Sequence, residues 1–175
     1  SPKRYGDAAQ LVWPALQLDK TAFDVVSKYS EVAAFLPGAK DIIDLAKVVI
    51  RKGLNVQQIV TLYREVKIHQ FGTRTPDDWV MLTKLSIESG RSPIDLYAQF
   101  RDLELVLPGP FSEGDLLYLF RVSVLANVSP AEVSRLYGQI FTTPFRPRFE
   151  SEGARVLGMS LLSRARQIKK ESIEN

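Results

Sequence analysis

Several kinds of residue are absent or rare in this chain, and each absence excludes a class of function. The 175 residues include no cysteine, which excludes disulfides, thiolate metal sites and cysteine nucleophiles. His69 is the only histidine, so a metal site with two histidine ligands is excluded as well. No Walker loop, GxGxxG, GxSxG or HExxH motif occurs. We therefore expect no catalytic, cofactor-binding or metal-binding residues, no small-molecule substrate, and a protein that is not an enzyme.

Long apolar runs are also missing. The longest stretch without a charged residue, residues 8–18, is far shorter than the roughly 20 residues that a membrane helix needs, and it contains Pro14. We therefore expect no membrane insertion. The lack of cysteine is compatible with a reducing compartment, and we expect a cytoplasmic or other intracellular location.

Net charge is low, at +3, but it is unevenly distributed. Residues 1–141 carry 16 basic and 16 acidic side chains, whereas the last 34 residues carry 7 basic and 4 acidic ones. A basic terminal segment can contact nucleic acid or an acidic protein, which makes its cations candidate partner-binding residues. These are Arg146, Arg148, Arg166, Lys169 and Lys170. The alternative is that the last three stabilise the C-terminal end of a helix through its dipole and have no partner.

A repeat of 37 residues is the main pattern in the sequence. When the chain is shifted by that period, apolar residues align in columns, and a fixed period of 20–50 residues is typical of repeat architectures. The columns are Leu45, Leu82 and Leu119; Val48, Leu85 and Val122; Ile59, Leu96 and Val133; Tyr63, Phe100 and Tyr137; and Val66, Leu103 and Ile140.

Each repeat reads as two helices joined by a short turn. Thr75 and Ser112 are each followed three residues later by an aspartate, the pattern of a helix N-terminus. The first helix then ends at a residue that tolerates a left-handed backbone, which is Gly53, Gly90 or Asn127. The second helix begins after Asn55, Ser92 or Ser129.

These signals predict an all-α fold, a right-handed stack of helical hairpins in a single domain over residues 1–175. The repeats are 38–74, 75–111 and 112–141. Atypical N-terminal helices occupy 7–37, where Asp7 and Leu11 match Asp41 and Leu45 at a spacing of 34. Within this part we expect a helix from Thr21 to Phe35. A C-terminal helix is expected over 150–172.

Each side chain that could have a catalytic or binding role also has a structural explanation. His69 falls where a second helix should end, and Asp78 of the Asp77–Asp78 pair is explained by capping. The aromatic column could stack on bases but is spaced for core packing. Lys47, Lys84 and Arg121 also recur at the period, and such a basic column could follow a phosphate backbone or belong to a solvated face of mixed charge.

The segment from Val122 to Tyr137 resembles a helix-turn-helix, with Asn127-Val128-Ser129 at its turn and Val133 six residues past Asn127. The resemblance implies a second helix that enters the major groove of DNA. Two functions therefore compete. The first is a non-enzymatic helical repeat module that binds a macromolecular partner, namely a protein. The alternative is a DNA- or RNA-binding protein that uses these hairpins and the basic C-terminal helix.

Overall fold

A computed structural model describes residues 16, 21–36, 42–69, 71, 75–107, 111–142 and 150–174 of the chain. Side chains of residues 22, 141–142, 150–151 and 168–174 lie outside that description. Within it the fold is all-α, and no residue is in a strand. The helices are α1 Ala22–Phe35, α2 Ile43–Lys52, α3 Val56–Ile68, α4 Pro76–Ser89, α5 Pro93–Val106, α6 Glu113–Leu125, α7 Pro130–Thr142 and α8 Glu150–Glu174.

Local capping chemistry determines where several of these helices begin. Thr21, Asn55 and Thr75 each accept a hydrogen bond from the backbone N–H three residues on, and the side chain at that position accepts one from the cap backbone. Ser112 caps α6 through the backbone N–H of Asp115, at 3.1 Å. Each cap satisfies amides that a helix start leaves without an intrahelical partner.

The residues that end α2 and α4 have a left-handed backbone conformation, as the sequence predicts. Gly53 and Gly90 have φ of 65° and 69°, and Asn127, after α6, has φ of 51°. A left-handed residue follows the last turn of each of these helices, and the next helix begins at Val56, Pro93 or Pro130.

The expectations for the two terminal regions have different outcomes. α1 confirms the helix from Thr21 to Phe35, with Thr21 as its cap. α8 confirms the C-terminal helix and extends to Glu174. The expected helix before residue 19 and the opening of the first repeat at Gly38 lie outside the described residues, apart from the helical backbone of Leu16.

The described helices belong to two compact units. In the first, which contains α1 to α4, α2 and α3 each pack against both α1 and α4. Its core includes Val32, Leu36, Ile42, Leu45, Val49, Ile59, Tyr63 and Val80. The division between the units falls at Pro93, inside the predicted second repeat, and the single-domain organisation stays a prediction.

The second unit contains α5 to α8 together with Phe71. The Phe71 ring is 1% exposed, and its centroid lies 5.5 Å from that of Tyr97, 5.7 Å from Phe100 and 6.0 Å from Phe120. α8 packs against both α6 and α7. An aromatic cluster and a long helix therefore organise this unit.

Burial follows the columns of the 37-residue period. The three leucines of the first column are 0% exposed, and the rings of Tyr63, Phe100 and Tyr137 are 7%, 4% and 3% exposed. Burial of the aromatic column confirms its assignment to core packing. Ile140 is the exception among the columns, since it is half-buried.

Candidate partner-binding surfaces

Two members of the predicted basic column, Lys47 and Lys84, meet at one carboxylate in the first unit. The ammonium nitrogen of Lys47 lies 3.5 Å from Asp44 Oδ1, and that of Lys84 lies 3.3 Å from Asp44 Oδ2. Lys47 and Asp44 share α2, one turn apart, while Lys84 reaches across from α4. Both cations are therefore arranged around an acid, in a face of mixed charge.

The electrostatics of Asp44 reflect this arrangement. Partial burial raises the pKa of Asp44, but the charges and hydrogen bonds of Lys84 and Lys47 outweigh that effect and hold the pKa below its ordinary value. A cation that neutralises a nearby carboxylate has less charge available for a phosphate. Arg121, the third member of the column, is half-buried on α6 in the second unit.

The other candidate cations lie at the C-terminal end of the chain. Arg166 is exposed on α8. Lys169 and Lys170 lie on the same helix, although their side chains are outside the described residues, and Arg146 and Arg148 are outside them altogether. The helix places Arg166, Lys169 and Lys170 at i, i+3 and i+4, so its geometry brings them to one face. Their role in binding stays a prediction.

α6, α7 and the turn between them contain the residues that resemble a helix-turn-helix. α6 and α7 are separated by residues 126–129, and the chain bends by 117° between them. Helix-turn-helix motifs have two helices at about 90–120° joined by a turn of three or four residues. The inward positions of the segment are buried, namely Val122, Ala126, Val128, Val133 and Tyr137.

The surface of α7 is nearly neutral. Arg135 donates two hydrogen bonds to the Glu132 carboxylate one turn earlier, from Nε at 2.7 Å and from Nη2 at 2.6 Å. The bonds from Arg135 and the nearby charge of Arg164 on α8 hold the pKa of Glu132 below its ordinary value. A helix that reads DNA needs side chains free to reach base edges, whereas this arginine is held by an acid.

Apolar side chains are the more prominent feature of the exposed surface. In the second unit, Ile94 and Leu105 on α5 are 60% and 76% exposed. They are separated by three helical turns and so point in directions only about 20° apart, with the exposed Ala98 and Arg101 between them on the same face. Large apolar side chains aligned on one helix face are typical of protein–protein contact surfaces.

The sequence interpretation missed a groove in the first unit. It lies between α1 and the residues that join α2 to α3, has a volume of about 410 Å³, and includes Phe23, which is 80% exposed. Sequence periodicity could have identified Phe23, because it lies outside the inward series Val25, Tyr29 and Val32. The groove itself depends on how two helices pack, which the sequence does not state.

The other residues that the sequence analysis considered for catalysis or binding have structural roles. His69 is the half-buried C-terminal cap of α3, and its backbone N–H donates to the Glu65 carbonyl at 3.3 Å. Asp78 caps α4, as its spacing predicts. The charge of Asp77 acts on Tyr63, whose pKa is raised first by burial and then by that carboxylate. In the described part of the chain, no three histidine, aspartate or glutamate side chains form a metal-binding group.

Among the described helices, no single helix is long and apolar enough to cross a membrane. α6 and α7 together have the required length and composition, but the chain bends sharply between them.

Comparison of the chain with protein-family models, with curated proteins and with solved structures found no match in any of the three.

Proposed function

We propose that this chain is a non-enzymatic helical repeat module that binds a protein partner. The exposed apolar stripe Ile94, Ala98 and Leu105 on α5 carries this proposal. A protein surface buries such side chains favourably, whereas a nucleic-acid backbone gains most from unpaired cations. Arg101 lies on the same face, between Ala98 and Leu105, and arginine is enriched together with large apolar side chains at protein interfaces.

The repeat architecture belongs to the same proposal. Three helix pairs, α2–α3, α4–α5 and α6–α7, follow one another at about the 37-residue period, each with a left-handed residue in its turn and with buried columns. One hairpin cannot bury both of its apolar faces, so stacked neighbours would bury them for each other. An experimental structure in which Tyr63, Phe100 and Tyr137 do not superpose would overturn the stack.

Capture from native lysate tests the binding function. The double variant Ile94→Asp and Leu105→Asp should keep the helical content of the parent, since both side chains are exposed, and should lose the captured protein. Asp102→Ala, at an exposed position of the same helix, is the matched control and should keep it. Nuclease treatment should leave the capture unchanged, because the proposed contact is apolar. Retention by the double variant would contradict the proposal.

The alternative is DNA or RNA binding through the α6–α7 hairpin and the basic end of α8. Its support is the 117° bend and the buried positions of the helix-turn-helix segment. The Glu132–Arg135 pair counts against it, because it neutralises the helix that would enter the groove. Late elution from a heparin column, together with capture that nuclease abolishes, would favour this alternative.

A further inference from the structure

Helices α1 and α5 are equivalent in length and in the positions of their buried residues. Each has 14 residues, and α5 begins at Pro93, 71 residues after α1 begins at Ala22. At that spacing buried residues match buried residues, namely Val25 with Leu96, Val32 with Leu103, and Leu36 with Leu107. The two helices therefore turn equivalent positions toward solvent, α1 in the first unit and α5 in the second.

Exposed apolar side chains recur at the same spacing. Phe23 on α1 and Ile94 on α5 are 80% and 60% exposed. Phe35 and Val106, at the ends of the same two helices, are 55% and 41% exposed. Single exposed apolar side chains are common, but a set that recurs at equivalent positions of two helices indicates a shared kind of contact surface.

The surface on each helix is about as wide as one partner helix. On α5 the exposed residues follow a spacing of four, three and four, which is that of a coiled-coil seam: Ile94, Ala98, Arg101 and Leu105. They lie within about 60° of one another around the helix axis. The equivalent residues on α1 are Phe23, Ser27, Ser30 and Ala34. A single helix covers a stripe this narrow, and the small residues allow it to approach closely.

Acidic side chains lie on the same side of both surfaces. Asp24 and Glu31 on α1 are about 80–100° around the axis from Phe23, and Asp95 and Asp102 have the equivalent positions on α5. Asp24 also caps the first turn of α1. Glu31 and Asp102 lie beyond the first turn, where capping does not require an acid.

Both helices are acidic although the chain is basic. Residues 22–35 contain two acidic side chains and one basic, and residues 93–106 contain three and one, whereas the whole chain has a net charge of +3. The ammonium nitrogen of Lys28 lies 3.5 Å from a Glu31 carboxylate oxygen, and Arg101 contacts Glu104. Interfaces place opposite charges across from each other, so these flanks favour a basic partner.

We propose that α1 and α5 are two equivalent docking faces, each for an amphipathic helix whose apolar seam is flanked by lysine or arginine. The α5 face rests on the proposed protein-binding function, and the α1 face adds a second site of the same chemistry. Loss of one flanking charge changes such binding by about fivefold at most, so Asp102→Ala remains a suitable control for capture from lysate.

Two synthetic helical peptides of equal length test the chemistry of the partner. Both have leucine at the seam positions of three heptads, and the flanking positions are lysine in one and glutamate in the other. In fluorescence anisotropy with labelled peptide at nanomolar concentration, the lysine peptide should bind about tenfold more tightly. Attraction to a chain of net charge +3 favours the glutamate peptide, so the expected preference reports the local charge of the two faces.

Apolar substitutions locate the two sites. In isothermal titration the parent should bind two lysine peptides. Phe23→Ser should remove the site on α1, and Ile94→Ser with Leu105→Ser should remove the site on α5. All three side chains are exposed, so circular dichroism should show the helical content of the parent in each variant.

Charge reversals test the flanks. Glu31→Lys and Asp102→Lys should each weaken binding of the lysine peptide at their own face by about fivefold, because each places a cation opposite a cation. Glu88→Lys makes the same change of charge at an exposed position of α4, away from both faces, and is the matched control. It should leave the affinity unchanged.

Equal affinity for the two peptides, or equal weakening by Glu88→Lys, would overturn the proposed chemistry of the partner. A single bound peptide that Phe23→Ser leaves in place would overturn the equivalence of α1 and α5. Self-association of the parent that Phe23→Ser abolishes would assign the α1 face to a second copy and would overturn the proposal too. If neither peptide binds but capture from lysate still requires Ile94 and Leu105, this inference fails while the protein-binding function stands.

Discussion

Gly53, Gly90 and Asn127 are the residues with positive φ in the described part of the chain, and they come after α2, α4 and α6. A side chain with a β-carbon collides with the following carbonyl in this conformation, and glycine avoids that cost. At Gly90 an added β-carbon would meet nothing within 4 Å. The requirement for glycine there comes from the backbone conformation and not from crowding.

Gly90→Val should therefore destabilise the protein by about 1–2 kcal/mol through backbone strain alone. Gly90→Asn should cost less, because asparagine tolerates the left-handed region and already occupies it at Asn127. Urea unfolding of the two variants measures the difference. A valine variant as stable as the parent would mean that the turn can change its conformation freely.

Gly158 on α8 is required for a different reason, which is close approach to α6. A β-carbon built at this buried position would lie 2.1 Å from Cε1 of Tyr118. No ring tolerates such a distance, so either the tyrosine or the helix would have to move. The absence of a side chain at Gly158 therefore makes room for the Tyr118 ring between α8 and α6.

Gly158→Ala should destabilise the protein by about 1–3 kcal/mol, the usual cost of overpacking a core. Gly138→Ala is the control, because that glycine lies exposed on α7 with nothing within 4 Å of the added carbon. The control should be neutral or gain about 0.5–1 kcal/mol from higher helix propensity. Thermal unfolding distinguishes them, and equal shifts for the two variants would contradict the packing argument.

At the scale of the elements, the ion pair between Asp44 and Lys84 links α2 to α4. The two residues are 40 positions apart, so the contact joins the first helices of two predicted repeats. Its side chains are partly exposed, and such pairs contribute about 0–1 kcal/mol. The contribution depends on pH, since only the ionised carboxylate attracts the ammonium groups.

The sign of this dependence follows from the lowered pKa of Asp44. The carboxyl group is more acidic in the folded protein than in the unfolded chain, so it adds stability above the unfolded pKa of about 4. That stability is lost as pH falls through the lower, folded value. Asp44→Asn should therefore be less stable than the parent at pH 7, with the difference disappearing in acid. A difference of the same size at both pH values would exclude this mechanism.

The sequence predicts where helices begin better than it predicts contacts between helices. Thr75 with Asp78 and Asn55 with Gln58 define helix starts through neighbours three residues apart, so the sequence alone places them. The contact of Gly158 with Tyr118 and the groove beside Phe23 arise where separate helices meet. Lys47 and Lys84 show the same limit for the candidate site: the sequence allowed a face of mixed charge, but it did not predict that Lys84 would contact Asp44 from another helix.

At the scale of the whole molecule, the distribution of charge determines which part of the chain a polyanion should bind. The excess of three positive charges comes from the last 34 residues. Cations elsewhere are frequently paired, since Lys47 and Lys84 contact Asp44, and Arg101 contacts Glu104. A polyanion should therefore interact with the end of α8 in preference to the predicted basic column.

Two triple variants of equal charge test this expectation. Changing Arg166, Lys169 and Lys170 to alanine should lower the salt concentration at which the protein elutes from heparin. In titrations with duplex DNA, it should reduce the slope of log K against log salt by about 0.9 for each phosphate that the variant no longer binds. Changing Lys47, Lys84 and Arg101 to alanine removes the same charge and should have a smaller effect, because these cations contact Asp44 or Glu104 and have less charge available for a phosphate. Equal shifts for the two variants would mean that net charge alone governs binding and that the end of α8 has no special role.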